Sequence, residues 1–223
     1  MAKYPRTPHL PYSPGATKDD KRLQSVTHFL NQHVVLTEKM DGSNVCLERG
    51  AVFARSHSGA PKHPSFDALK QLHGQIRHLI HADEQLFGEW CYARHSIAYT
   101  ELPGYLMLFG IRTETIDAGT IETRWKDWHS VKMRAHAIGV PTVPELEIFS
   151  CPGVERVLQE RVERHAARPS ECGGEREGVV VRLLSGFRDE DFPLSVAKHV
   201  RANHVQTDDH WSSQAIVKNG LKT

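Results

Sequence analysis

One lysine stands where its amine could act as a nucleophile. Lys39 lies in EKMDGSN and ends the run VVLTEK, which predicts a β-strand from Val34 to Lys39. A lysine amine attacks an electrophile only when it is neutral, and its unperturbed pKa is about 10.4. Burial or neighbouring cations would favour that neutral form. Taken alone, the segment has a structural alternative. Asp41-Gly42 is a common hairpin-turn sequence, and Lys39 beside it would then be a solvated surface cation.

Five further segments place a polar or aromatic residue within or beside a strand-like run. They are Arg55 after VFA, Glu89 in FGEW, Phe109 in LMLFGIR, Glu177 at the start of EGVVVR, and Lys198 in SVAKHVR. Each has a structural alternative as a surface cation, a strand-end carboxylate or a core aromatic. A charge set in an apolar run, however, needs a partner or a function, because burying it alone is costly.

In this order, the segments resemble the nucleotidyltransferase motifs of covalent ATP-dependent ligases and mRNA capping enzymes. EKMDGSN is similar to motif I, FGEW to motif III, LFGI to motif IIIa, EGVVVR to motif IV and AKHVR to motif V. The sequences around these motifs most resemble the phage-type RNA ligase 2 group. The segments that carry this resemblance are YPRTPHLPYS, GEWCYARHSIAYTELPGYLMLFGI and AKHVRANHVQTDDHW. The resemblance spans roughly residues 3–211, nearly the whole chain.

The resemblance implies that Lys39 is the nucleophile, which attacks ATP and forms a lysyl-N–AMP phosphoramidate. Glu177 would support the metal and the nucleophile, and Lys198 would bind the α-phosphate. Motif V of many relatives has two basic residues separated by one position, but here Lys198 is followed by His199, Val200 and Arg201. Arg201 could supply the second cation, or that cation could be missing. Cations such as Arg55 and Lys198 would favour the neutral form of Lys39.

Four residues would bind the nucleotide. By the resemblance, Arg55 would contact the nucleotide or its phosphates, Glu89 would hydrogen-bond the ribose, and Phe109 would stack on adenine. Glu38 would help to read adenine, with a surface salt bridge as the alternative. The implied cofactors are ATP and Mg²⁺ or Mn²⁺, and no side chain is predicted as a dedicated metal ligand. Mg²⁺ keeps several waters and needs only one or two carboxylates, which fits the absence of a dense acidic cluster in the sequence.

The order of the predicted elements favours an α+β fold, because hairpins and helices do not alternate regularly. A capping-box pattern at Thr17 predicts a first helix through Leu30. Further helices are predicted from Ser65, around Trp128–Ile138 and over 153–167; further strands include 178–184 and 194–200. The resemblance implies two antiparallel sheets with flanking helices and a central ATP cleft.

Composition limits the surroundings in which such a protein would work. The formal net charge is +1, so contact with nucleic acid must come from a local basic patch. Four cysteines lie without a CxxC pair, which favours a reducing compartment. No apolar run approaches the ~18 residues of a membrane span. We therefore expect a soluble, cytoplasmic protein without a membrane partner.

Only 22 residues follow Arg201, which predicts one adenylyltransferase domain over residues 1–223, without an OB-fold or C-terminal helical domain. The predicted activity is ATP-dependent ligation of 5′-phosphate and 3′-hydroxyl RNA ends; nicked duplexes and end-healing partner enzymes remain open. The alternatives are a DNA ligase-type domain, a capping guanylyltransferase, and an inert nucleic-acid-binding relative. The missing OB-fold argues against the first two, and intact Lys39, Glu89 and Glu177 against the third.

Overall fold

The computed structural model describes residues 3–54, 59–117, 120–202 and 215–223. The strands are β1 (His33–Lys39), β2 (Ser43–Leu47), β3 (Val52–Ala54), β4 (Glu84–Trp90), β5 (Leu106–Asp117), β6 (Thr120–Trp125), β7 (Glu145–Ser150), β8 (Gly178–Leu183), β9 (Phe187–Arg188) and β10 (Val196–Val200). The α-helices are α1 (Asp67–Ile76), α2 (Trp128–Ala137), α3 (Glu155–Ala166) and α4 (Phe192–Ser195). Short 3₁₀ turns occupy Thr27–Phe29, Pro64–Phe66, Arg77–Leu79 and Asp189–Asp191.

The strands form two sheets, with the orders β10-β8-β1-β7 and β3-β2-β4-β5-β6-β9. Every pair of neighbouring strands in these sheets is antiparallel. β1 and β2 lie in different sheets, so the chain crosses from one sheet to the other directly after Lys39. The α+β class with antiparallel sheets is therefore confirmed.

Alternation along β1 decides what faces the space between the sheets, because successive side chains point to opposite faces. Val34 and Leu36 pack with Leu158 of α3 in an outer cluster. Val35 instead joins the larger core that β4 and β5 also supply. Lys39, four positions after Val35, lies on the same face and points between the sheets.

The predicted first helix is wrong. Among residues 17–30 only Thr27–Phe29 forms a helical turn. Thr17 does donate to the Asp20 carboxylate from its main-chain nitrogen (3.0 Å) and its hydroxyl (2.9 Å), as in a capping motif. Main-chain bonds with His9 nevertheless hold the following residues extended, since Leu23 N donates to His9 O at 2.8 Å.

The remaining element predictions are confirmed, with shifts at their ends. The helices α1, α2 and α3 lie where helices were predicted. The strands β2 and β3 form a hairpin around Arg49-Gly50. The last strand begins at Val196 rather than Leu194, because α4 takes up the preceding residues. Within the described residues, no helix is long and apolar enough to cross a bilayer.

Candidate active site

A cleft of about 660 Å³ opens between the two sheets. Five of the seven predicted site residues contribute to its lining: Glu38, Lys39, Glu89, Phe109 and Lys198. Residues 4–7 of the N-terminal segment form part of its wall. A sixth predicted residue, Glu177, contacts Lys39, whereas Arg55 lies outside the described residues.

Lys39 and Glu177 meet because β1 and β8 are neighbours. Lys39 pairs in register with Gly178, the residue after Glu177. The Lys39 ammonium donates to the Glu177 carboxylate at 2.6 Å. The Glu177 side chain is only 5% exposed, whereas the Lys39 side chain is 25% exposed and lines the cleft.

The electrostatics around Lys39 differ from the sequence-based expectation of a neutral amine. Burial lowers the pKa of Lys39, but the carboxylates of Glu177 and Glu89 raise it, and the net shift is upward. The expectation assumed neighbouring cations, whereas the groups that dominate at the amine are carboxylates. In this structure Lys39 is therefore held in its charged form.

Glu89 supplies the second carboxylate of the site from β4. Burial raises its pKa to about 8; the Lys39 ammonium opposes this shift, and the Glu177 carboxylate adds to it. The two carboxylates and the amine therefore form one coupled group, in which a change in one protonation state alters the others.

The Asp41-Gly42 pair does not form a hairpin turn, because it links the two sheets. The Asp41 carboxylate accepts from the Ser96 main-chain nitrogen and hydroxyl, both at 2.8 Å, and from Ile97 N at 2.9 Å. A Cβ at Gly42 would lie 2.7 Å from the carbonyl oxygen of Trp90, so only glycine fits there. This connection fixes the end of β1, and with it Lys39, against the end of β4.

Phe109 faces the cleft from β5, and a buried arginine holds its backbone in place. Arg182 donates to the Phe109 carbonyl at 2.6 Å and to the Lys126 carbonyl at 3.1 Å, and burial lowers the pKa of Arg182. The Tyr4 ring meets the Phe109 ring edge-on at 4.9 Å. Sequence reasoning missed Arg182 and Tyr4, although a charge ending the buried run VVVR was a signal for Arg182.

The two cations of the last motif lie in different places. Lys198 pairs in register with Val180 and contributes to the cleft lining. Arg201 forms an ion pair with Glu175, and the cleft lining does not include it. Arg182 lines the cleft instead. Among the described residues, Arg201 is therefore not the second cation facing the cleft.

Comparison with known proteins identifies the family. A family model described as RNA ligase matches residues 32–200. The chain belongs to the RNA ligase family. A comparison with curated protein sequences finds no match.

Solved RNA ligases share this fold. A variant of Naegleria gruberi RNA ligase with ATP and Mn matches at 18% identity and a TM-score of 0.55, covering 87% of this chain and 58% of that chain. An archaeal ATP-dependent RNA ligase matches at 14% identity and a TM-score of 0.55, covering 92% of this chain and 49% of that one. The chain thus spans about half the length of the solved ligases that it matches. The resemblance to RNA ligases is confirmed.

Glu38 of this RNA ligase family member forms a salt bridge, but a buried one. Its carboxylate lies 3.3 Å from the Arg176 guanidinium, both side chains are fully buried, and Glu171 N donates to it at 3.0 Å. Burial raises the pKa of Glu38, while hydrogen bonds and Arg176 oppose the shift. Strand alternation places this side chain on the opposite face of β1 from Lys39, although the residue itself borders the cleft. A role in reading adenine stays a prediction.

The carboxylates of the site fit a divalent metal carried by a nucleotide. Among the described residues, no group of three His, Cys, Asp or Glu side chains could hold a metal ion by itself. Glu89 and Glu177, however, act on the same amine. One or two carboxylates, together with phosphates and water, are the usual surroundings of Mg²⁺ in phosphoryl-transfer sites.

Proposed function

We propose that this chain is the catalytic domain of an ATP-dependent RNA ligase, in which Lys39 takes AMP from ATP. One observation carries the proposal: the Lys39 ammonium lies 2.6 Å from the buried Glu177 carboxylate, inside a cleft that has Phe109 in its wall. Membership of the RNA ligase family supports the same reading.

Adenylylation would begin with loss of one proton from the Lys39 ammonium. The neutral amine attacks the α-phosphorus of ATP, an N–P bond forms, and the bond from phosphorus to the bridging oxygen breaks. Pyrophosphate leaves with that bonding electron pair, and the nitrogen then releases a second proton. Glu177 is within hydrogen-bonding distance of the amine to accept a proton from it.

Two further transfers would complete ligation. An oxygen of an RNA 5′-phosphate attacks the phosphorus of lysyl-AMP, and the P–N bond breaks as Lys39 is reprotonated. The 3′-hydroxyl of the other end then attacks the activated 5′-phosphate. A phosphodiester forms, AMP leaves, and the hydroxyl proton is lost.

The cleft offers separate surfaces for the parts of ATP. Phe109 from one sheet and Val180 from the other contribute an apolar slot for the base, and stacking on an aromatic ring is worth about 1–3 kcal/mol per base. Lys198 faces the same cleft and would bind the α-phosphate, and Glu89 would bind the ribose. A divalent metal at Glu177 would offset phosphate charge and compete with the ammonium for that carboxylate, which favours the neutral amine.

The proposed substrates are RNA ends with a 5′-phosphate and a 3′-hydroxyl, including nicked duplexes, with end-healing enzymes as suppliers of such ends. We also place the protein in the cytoplasm. The four cysteines are free and buried, which fits a reducing compartment.

Intact mass measurement after incubation with ATP and Mg²⁺ tests the proposal. The wild-type protein should gain the mass of one AMP, and Lys39→Ala should not. Lys70→Ala is a matched control, because Lys70 is half-exposed on α1, forms an ion pair with Asp67 and is not part of the cleft lining. Covalent AMP on the Lys39→Ala protein would contradict the assignment of the nucleophile. A wild-type protein that binds ATP without a covalent product would favour the inert relative.

A further inference from the structure

The C-terminal segment, residues 215–223, packs on the stretch that follows β4. Main-chain hydrogen bonds join the two segments at several points: Arg94 N to Val217 O (2.8 Å), Asn219 N to Tyr92 O (3.0 Å), Gly220 N to Tyr99 O (2.8 Å), Leu102 N to Gly220 O (3.0 Å) and Lys222 N to Leu102 O (2.9 Å). Five bonds over so short a length indicate a defined seat rather than a chance contact.

Asn219 is the buried centre of this contact, with 4% of its surface exposed. Its side-chain oxygen accepts from Tyr99 N at 3.0 Å, and its side-chain nitrogen donates to Cys91 O at 2.9 Å. The next residue, Gly220, is held so close that a Cβ there would lie 2.8 Å from the Thr100 carbonyl oxygen. The seat therefore depends on both residue types.

The two partners of Asn219 lead directly to the reactive groups. Cys91 is two residues after Glu89 on the same chain segment. The Tyr99 hydroxyl accepts from Asp41 N at 2.8 Å, and Asp41 is two residues after Lys39. One side chain thus ties together the stretches that follow the predicted nucleophile and the predicted ribose ligand.

We propose that Asn219 is a positioning residue for adenylylation of Lys39. By fixing Cys91 relative to Tyr99, it sets the placement of Lys39 against Glu89 without itself touching the nucleotide. The inference rests on the proposed function, because it assumes that Lys39 is the nucleophile. Small displacements of reacting groups lower rates steeply, so the role should show in the rate constant of the chemical step.

The test is single-turnover formation of lysyl-AMP by the full chain at varied ATP concentrations. Asn219→Asp keeps the size and the acceptor for Tyr99 N but turns an oxygen towards the Cys91 carbonyl. Gly220→Ala disturbs the seat and leaves Asn219 intact, and Tyr99→Phe removes only the hydroxyl that Asp41 N contacts. Val217→Ala is the control, since that side chain is 56% exposed.

We expect each of the three variants to lower the maximal rate constant at least ~10-fold, with half-saturation by ATP within ~2-fold of wild type. The control should match wild type. A merely structural role would reduce the fraction of protein that reacts but leave the rate constant of the remainder unchanged. That outcome in all three variants would overturn the proposal.

Hydrogen exchange separates this inference from the proposed function. The Asp41 amide should exchange faster in Asn219→Asp than in wild type, because its hydroxyl partner is no longer held. This measurement needs no ATP chemistry, so it remains informative if the wild-type protein forms no lysyl-AMP. Unchanged exchange at Asp41 in Asn219→Asp would overturn the link even if adenylylation is confirmed.

Discussion

Lys39 and Glu177 form a 2.6 Å ion pair although they are 138 positions apart in the chain. They come together because Lys39 ends β1 and Glu177 precedes β8, which pairs with β1 in antiparallel register. The Glu177 carboxylate is almost fully buried, so its negative charge is stabilised by the Lys39 ammonium and not by solvent. The same contact that places the proposed nucleophile also keeps it protonated. The proposed adenylylation must therefore include a step that weakens this ion pair.

We expect Glu177→Gln to shift the pH dependence of adenylylation. The pKa of Lys39 is raised by the Glu177 carboxylate, and the reactive neutral amine forms as the pH rises through that pKa. Removing the carboxylate lowers the pKa, so the rise in rate should occur at lower pH in the variant. The plateau rate should also fall, by ~100-fold, through loss of a preorganised contact. The measurement is the pH profile of kcat/KM for ATP. If the rate rises at the same pH in both proteins, the group that titrates is not Lys39.

Glu38→Ala should destabilise the protein more than it weakens recognition of adenine. Arg176 would lose its fully buried carboxylate partner and keep its ion pair with the more exposed Glu171, so we expect a loss of up to about 3 kcal/mol in the free energy of unfolding. Urea denaturation measures the loss. Glu160→Ala is the control, since its i,i+4 pair with Arg156 is exposed and should contribute at most about 0.5 kcal/mol. If Glu38→Ala keeps its stability but loses the preference for ATP over GTP, Glu38 reads the base.

Lys198→Ala should lower adenylylation at least ~100-fold, and Arg201→Ala should have a smaller effect. Both residues belong to the same short segment, but only Lys198 lies in the cleft lining, while Arg201 pairs with Glu175. Rates of lysyl-AMP formation at saturating ATP measure the difference. If Arg201→Ala is the more damaging change, the α-phosphate contact has been assigned to the wrong cation.

Phe109→Ala should raise the KM for ATP about 10–100-fold, as the loss of one base-stacking contact implies. Phe109 faces the cleft, and its carbonyl is held by Arg182, so the ring is presented from a fixed backbone. Phe149→Ala is a matched control, because Phe149 packs on the outer side of the other sheet. A comparable rise in KM in both variants would indicate a loss of folding rather than of stacking.

Much of the site could be predicted from the sequence because its residues end or interrupt apolar strands. Lys39, Glu89 and Phe109 lie in runs whose apolar character marks them as buried strands, so an embedded polar or aromatic group is conspicuous. Five of the seven predicted residues line one cleft. That these residues form one site was predicted from the family resemblance, because their spacing along the chain does not show which of them meet.

The remaining features depend on contacts between distant parts of the chain. The pattern at Thr17 fits a helix start, yet main-chain bonds to His9 hold the following residues extended, and no local pattern reveals that partner. The raised pKa of Lys39 follows from the position of the Glu177 carboxylate, whereas the sequence-based expectation for this pKa rests on burial and neighbouring cations. Asn219 contacts Tyr99 across 120 positions, and an asparagine before glycine otherwise reads as a turn.

The last prediction concerns the substrate: RNA ends, or a nick with RNA on its 3′-hydroxyl side, should be sealed faster than an all-DNA nick. The chain belongs to the RNA ligase family. Discrimination requires contacts with the 2′-hydroxyl or with A-form shape close to the reacting ends. With a net charge of only +1, a local patch must supply the phosphate contacts, so binding should weaken steeply with salt.

Pre-adenylylated nicked duplexes that differ only in the sugar of the terminal 3′-hydroxyl nucleotides provide the test. Such substrates bypass Lys39 adenylylation, so a difference in sealing rate reports the final transfer alone. Ribose ends should react faster than deoxyribose ends at the same salt concentration, because the 2′-hydroxyl is the group that distinguishes them. Lys39→Ala protein should show the same preference, since the nucleophile is not needed once the 5′ end is activated. Equal sealing rates for ribose and deoxyribose ends would contradict the predicted preference for RNA. They would not bear on lysyl-AMP formation, which the intact mass measurement tests.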